Sequence, residues 1–256
     1  MPTDALRPVL ARDGIFNARD LGGLPAADGL VVRSRAVVRA DALHRCGPAS
    51  VKGLHDHGVR LVLDLRDDTE REHEGVFDGA GIDVEHLPVL DPAYTWDSGD
   101  LEPVDLLPHR YAEILTSFAP RFTAGLERIA SAEGAVAYHC AVGKDRTGLL
   151  TALLLGVLGS PPEVIVADYA RSARAGAVQV SWLWVFGSPA GQVDDRDLAE
   201  GVWSARPATM AATLARLDAQ HGGVTGYLRD AGLGAEVVAE LRARLLVPAD
   251  ASEPEE

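Results

Sequence analysis

The chain is short of cysteine, of lysine and of aromatic rings. Two cysteines, Cys46 and Cys140, cannot build a disulfide framework in 256 residues, so reduced thiols in a cytosol-like setting are the expectation. Lys52 and Lys144 stand alone against 22 arginines, a skew that coding bias accounts for in large part and that makes a lysine here a mild hint of a chemical requirement. A long apolar run is missing as well. The longest, Leu149 to Leu158, is about half of a membrane span and reads as a buried helix. Met1 to Gly14 carries charges throughout and has no apolar centre, unlike a secretory signal. A cytoplasmic protein is therefore expected, with signal-independent secretion left open and membrane contact transient at most. Positive charge is also scarce. A net charge of −14 argues against nucleic acid as a partner, because such a partner needs a basic face that displaces counterions. An anionic small ligand stays open, since distant charge is screened beyond about 8 Å at physiological salt.

What is present is an ordinary globular balance, 47% hydrophobic and 24% charged, with no repeat and no low-complexity linker. The expected organisation is one domain over residues 1–247 followed by an acidic disordered tail over 248–256. Val59 to Leu65, Ile82 to Val89 and Ala135 to His139 read as strands, and residues 29–39 as one or two edge strands. Helical periodicity covers about 48–57, 109–132, 147–158, 162–175, 207–220 and 235–246. Ser160-Pro161-Pro162-Glu163 has the pattern of a capping box with proline at the first helical position. Strands alternating with helices give an α/β fold, a central and mostly parallel sheet flanked by helices. Residues 177–206 are irregular and hold Trp182, Trp184, Phe186 and Trp203, as either a helical lid or a packed aromatic loop.

The chemistry concentrates in Tyr138-His139-Cys140-Ala141-Val142-Gly143-Lys144-Asp145-Arg146-Thr147-Gly148, between a strand and a helix. A loop wrapping from a strand into a helix N-terminus aims successive backbone N–H groups inward, a nest for an anion in line with the helix dipole. Gly143 permits angles that a side chain forbids. Cys140 lies at the floor of that nest, where the donors that would hold phosphate also favour its thiolate. Arg146 offers a planar fork for two phosphoryl oxygens, and the Thr147 hydroxyl is placed to bond the sulfur. His139 suits a role in orienting the loop. No histidine spacing suggests a metal site, and the chemistry calls for no cofactor.

This stretch resembles the signature loop of the protein tyrosine phosphatase superfamily. Within it, the loop is similar to the bacterial tyrosine/serine phosphatases with HC-x2-GKDRTG, among them secreted mycobacterial enzymes. Asn17-Ala18-Arg19-Asp20-Leu21-Gly22-Gly23 matches that group's NxRDLGG segment, and Arg39 to Leu43 its following turn. Leu63-Asp64-Leu65-Arg66 with Glu70 matches its DLR strand end, and Tyr227-Leu228 with Leu241 its C-terminal helical segment. The resemblance implies a cysteine phosphatase fold with Cys140 as nucleophile, Arg146 as phosphate clamp and the amides of Ala141 to Arg146 as the cradle. It puts Lys144 at the rim as extra positive charge, as in lipid-phosphate phosphatases. The WPD loop that carries the acid in eukaryotic relatives is missing. Asp145 inside the loop is then the implied general acid and Asp64 the runner-up.

Other readings compete. Asp64-Leu65-Arg66 also reads as a salt-bridged strand end, Arg19 and Asp20 as loop or turn supports, and Cys46 as a structural thiol. A Walker loop fails, because Tyr138 and Asp145 stand where Gly and Ser/Thr are needed. A rhodanese-like sulfur transferase shares a cysteine in an amide nest but has no call for arginine six positions on. A phosphate-binding pseudo-phosphatase is the non-enzyme alternative. Phosphotyrosine protein, phosphoserine or phosphothreonine, phosphoinositide and small phosphate esters remain as substrates, and the oligomeric state is not legible.

Overall fold

The computed structural model describes residues 6–94, 103–173 and 204–251. Its strands are β1 Arg19–Asp20, β2 Leu30–Val32, β3 Val37–Asp41, β4 Val59–Asp64, β5 Asp83–His86, β6 Ala135–Cys140 and β7 Leu246–Pro248. Five of them form a sheet in the order β1-β3-β6-β4-β5, in which β3, β6, β4 and β5 are parallel and β1 is antiparallel. β2 and β7 pair apart from it as an antiparallel ribbon. The expected pair of edge strands over 29–39 is thereby corrected in part. Leu30–Val32 belongs to the ribbon, whereas Val37–Asp41 lies inside the sheet between β1 and β6.

The helices are α1 Leu6–Leu10, α2 Pro48–Asp56, α3 Asp68–Glu74, α4 Pro103–Ser117, α5 Ala119–Ser131, α6 Arg146–Val157, α7 Pro162–Ala170, α8 Pro207–His221, α9 Val224–Asp230 and α10 Ala235–Leu245. The helix expected over 109–132 is two helices. Pro120 has no N–H and collides with the preceding turn, so the chain breaks at Phe118 and restarts. α9 is an addition to the expected set, its seven residues too few to show a period. The expected capping box at Ser160 does not form. Pro161 is the N-cap of α7, which puts Glu163 at the second helical position, and the Ser160 hydroxyl is buried without a partner. The box forms at α3 instead, where Asp67 and Glu70 exchange side-chain and backbone bonds of 2.9 Å each. Of the tail expected over 248–256, Pro248 ends β7 and Ala249–Ala251 form a 3-10 turn, while residues 252–256, and most of the candidate lid segment 177–206, lie outside the described residues.

Strand alternation divides the core. Val136, Tyr138 and Cys140 face the helical layer of α4, α5 and α6, while Ala135 and Ala137 face α1 and α2 with Leu6, Leu10 and Leu54. α6 is buried on nearly every side, as its run of leucines implies. Among the described residues no helix is long and apolar enough to cross a membrane. The consequence for the site is mechanical. β6 is the central strand and α6 the central helix, so the loop joining them is fixed at both ends.

Candidate active site

Cys140 ends β6 between two acidic strand ends, in register with Asp41 on one side while its neighbour His139 is in register with Asp64 on the other. The sulfur is buried, and it accepts hydrogen bonds from the Gly143 amide at 3.3 Å and the Thr147 hydroxyl at 3.2 Å. Both donors favour a sulfur that carries negative charge. Gly143 has a φ of 68°, and a Cβ there would stand 2.6 Å from the Ala40 carbonyl oxygen, so the turn requires glycine. Asp145 caps α6 at the far end of the loop.

Two of the loop's carbonyls are held by buried side chains, while the Gly143 amide points at the sulfur. Asn17 donates to the carbonyls of Val142 at 3.1 Å and Gly143 at 2.9 Å, and Arg39 donates to Gly143 at 2.7 Å. Both side chains are buried and fixed in turn. The Asn17 amide bonds Asp41 at 2.8 Å, and its side-chain oxygen accepts from Arg19 at 2.6 Å. Arg19 and Arg39 converge on Asp168 of α7, at 2.7 Å and 2.5 Å. Burial alone would raise the Asp168 carboxyl, but the two guanidinium groups hold it well below the usual range. Asp20 instead ties a turn, accepting from the amides of Gly22 and Arg35. Asp168 carried no sequence motif. A lone carboxylate in the apolar stretch Val164 to Tyr169 is the signal that could have found it.

Arg146 opens α6 and meets Glu70 end-on, with its Nη2 2.6 Å from Oε1 and its Nη1 on Oε2. A guanidinium has five donors, so this grip leaves the Nε edge available to a phosphoryl group. Burial works against the Arg146 charge, but Glu70 outweighs it and holds the group firmly protonated. The capping box at α3 orients Glu70, so a helix terminus sets the direction of the clamp.

The two candidate acids differ. Asp145 keeps a third of its side-chain surface, and its Oδ1 meets the Tyr111 hydroxyl at 2.5 Å and Lys144 Nζ at 3.3 Å. Asp64 is fully buried, with Arg66 Nε on one oxygen at 3.0 Å and Nη2 on the other at 2.8 Å. Burial would lift Asp64, but those bonds and the nearby charges take it down to about 2. Lys144 does not stand at the rim as expected. It is 2% exposed and lies against Asp145. His139 is fully buried, its Nδ1 3.3 Å from the Cys140 carbonyl oxygen, and burial lowers it to about 4. It is therefore neutral at physiological pH and suited to holding the loop. Cys46 lies away from the loop, and burial, with Asp13 and Asp41 adding, pushes its thiol up to about 12.

The arrangement is thus a thiol receiving an amide and a hydroxyl, with an arginine fork and a carboxylate that keeps a third of its surface following it in the same loop. Known proteins are similar to the chain over most of its length. Residues 10–247 match the model of a tyrosine phosphatase family. The chain is 30% identical over 241 residues to a tyrosine-protein phosphatase of Nostoc commune, covering 86% of this chain and 78% of that one. It is 29% identical over 280 residues to the triple specificity protein phosphatase PtpB of Mycobacterium tuberculosis, covering 91% and 97%. Among solved structures it is similar to P. aeruginosa TpbA at 18% identity and a TM-score of 0.30, over 73% of this chain and 89% of that one.

Proposed function

Because the chain belongs to the tyrosine phosphatase family, we propose that it hydrolyses phosphotyrosyl groups through a phosphoryl intermediate on Cys140. The observation that carries the mechanism is the sulfur of Cys140 receiving the Gly143 amide and the Thr147 hydroxyl at the floor of the cradle. The thiolate attacks phosphorus while the amides of Ala141 to Arg146 and the Nε edge of Arg146 follow the charge on the equatorial oxygens. The phosphorus–oxygen bond to the substrate breaks, and Asp145 gives its proton to the leaving oxygen. Asp145 as carboxylate then takes a proton from the water that attacks the thiophosphate. Phosphate leaves and the thiolate is restored.

Asp145 is preferred to Asp64 because Asp64 has both oxygens bound by Arg66. With Lys144 buried against Asp145, no separate observation favours a lipid phosphate, so the substrate class argued is phosphotyrosine on protein, with phosphoserine and phosphothreonine behind it. Cys140→Ser tests the reading. Turnover of an aryl phosphate is expected to fall by at least about 10⁴-fold while vanadate still binds, since the cradle survives without its nucleophile. Residual turnover above about one per cent of wild type contradicts covalent catalysis by this residue.

A further inference from the structure

Tyr111 lies on α4, far in sequence from the loop, yet its hydroxyl reaches into the site. Its ring is fully buried, and its oxygen stands 2.5 Å from Asp145 Oδ1 and 2.8 Å from the hydroxyl of Tyr169 on α7. The two rings meet edge-on, 6.1 Å apart at 87°. Gly148, two residues after Arg146, makes room for this pair, because a Cβ there would stand 3.1 Å from the Tyr169 ring. A phenylalanine at 111 would fill the same volume. The hydroxyl is explained only by what it touches, and a carboxylate that must alternate between charged and neutral forms is among its partners.

We propose that Tyr111 is a positioning residue for Asp145, its phenol donating to Oδ1 so that the catalytic proton resides on Oδ2, facing the leaving-group oxygen. The proposal rests on the reading of Asp145 as general acid. Among the described residues both side-chain partners of Asp145, Tyr111 and Lys144, sit on Oδ1, which leaves Oδ2 for the substrate in this reading. Tyr169 fixes the phenol from the other side, so the hydroxyl cannot rotate away without losing a buried bond. The charged and titratable groups around Asp145 are Lys144 beside it in the loop, Arg110 and Tyr111 of α4, Arg146 of α6 and Tyr169 of α7. Burial pushes the Asp145 carboxyl up, but Lys144 and the phenol's donation outweigh it and hold the group below its ordinary value.

Two consequences separate this role from plain packing. Without the phenol the carboxylate loses a donor and takes up its proton more readily, so the basic limb of kcat/KM moves to higher pH. Among the described residues Oδ1 then keeps only Lys144 at 3.3 Å and holds the proton off less firmly, so kcat falls most where the leaving group needs its proton. For Tyr111→Phe the expected results are a basic limb raised by about one pH unit and kcat on an alkyl phosphate reduced about tenfold. KM and vanadate affinity should stay within about twofold of wild type. A packing role would lower all substrates alike and leave the limb in place. Tyr169→Phe, which keeps the Tyr111 hydroxyl, should shift the limb the same way by less, and it carries the test if Tyr111→Phe does not fold. Asp145→Asn, measured alongside, separates the two ideas. If it shows no leaving-group dependence, the acid assignment falls. If it does, and neither phenylalanine variant moves the basic limb, the inference about Tyr111 is overturned by itself.

Discussion

Two carboxylates flank the same loop, and their surroundings differ in kind. Asp64, at the end of β4, is fully buried and gives both oxygens to one arginine, with Arg71 at 3.4 Å and a neutral histidine at 3.7 Å around them. Asp145, at the cap of α6, keeps a third of its surface and rests on a phenol and a lysine. To take a proton, Asp64 would have to abandon a bidentate ion pair with a buried guanidinium, leaving Arg66 only Glu74 at 3.2 Å as a charged partner among the described residues. Asp145 gives up less, because its ammonium partner stands at 3.3 Å on a single oxygen and a third of its side-chain surface stays exposed. Nearness to the nucleophile therefore does not identify an acid. What identifies it is whether the group's partners tolerate both of its protonation states.

The sharpest way to break the comparison is Asp145→Asn. On alkyl phosphates the expected loss is about 10²–10⁴-fold, because an alkoxide cannot leave without a proton, while activated aryl phosphates should lose less than about tenfold. The basic limb of the pH profile should vanish with it. A leaving-group series with both variants reads the slope directly, and a steep slope for Asp64→Asn with a flat one for Asp145→Asn would reverse the roles.

Glu70 sharpens the contrast, as a carboxylate that serves by staying ionised. Glu70→Gln keeps the volume and most of the capping box but loosens the end-on grip on Arg146. A charge-assisted bond to a partly buried guanidinium is the interaction lost, so kcat/KM should fall about tenfold across all leaving groups. A loss confined to poor leaving groups would instead mean that Glu70 takes part in proton transfer.

Asp64→Asn should have the smallest effect on catalysis, within about tenfold and even across substrates, and its main cost should appear in stability. The ion pair also sets an acid limit. Asp64 falls from an ordinary value near 4 to about 2 in the folded chain, so its contribution is fully present above pH 4 and is lost as pH drops through 2. For this buried group the difference is about 2 kcal/mol. Denaturant unfolding of wild type and variant between pH 5 and 2 should show the gap closing as the pH falls. A constant gap would mean that the Asp64–Arg66 pair is not what stabilises this end of β4.

Much of this was legible in the sequence because the signals are local. Val59 to Asp64 and Ala135 to Cys140 are apolar runs with turn residues before them, and the cysteine-to-arginine loop carries its residue types at fixed spacing. The supports behind the loop were legible only in part. Asn17 and Arg39 lay in matched segments, but the carbonyls of Val142 and Gly143 that they hold come from residues more than 100 positions away. Tyr111, Tyr169 and Asp168 belong to no motif, since helix packing alone brings them to the site. Lys144, placed at the rim by resemblance, is buried against Asp145 instead, because a shared motif says which residue is in the loop and not how deeply its side chain packs. The two capping signals show the same limit. Ser160 and Asp67 both head an acceptable pattern, and the helix start, set at Pro161 by the proline pair, decides that only Asp67 can complete it.

The central claim is that phosphate passes through the sulfur of Cys140. Its most direct test is rapid quenching of the wild-type protein during turnover of an activated aryl phosphate, followed by mass analysis of its peptides. The account predicts one phosphoryl group on the peptide that carries Cys140, formed at least as fast as steady-state turnover and absent in Cys140→Ser. Undiminished turnover with that peptide unmodified, or with the phosphoryl group on another residue, would contradict it.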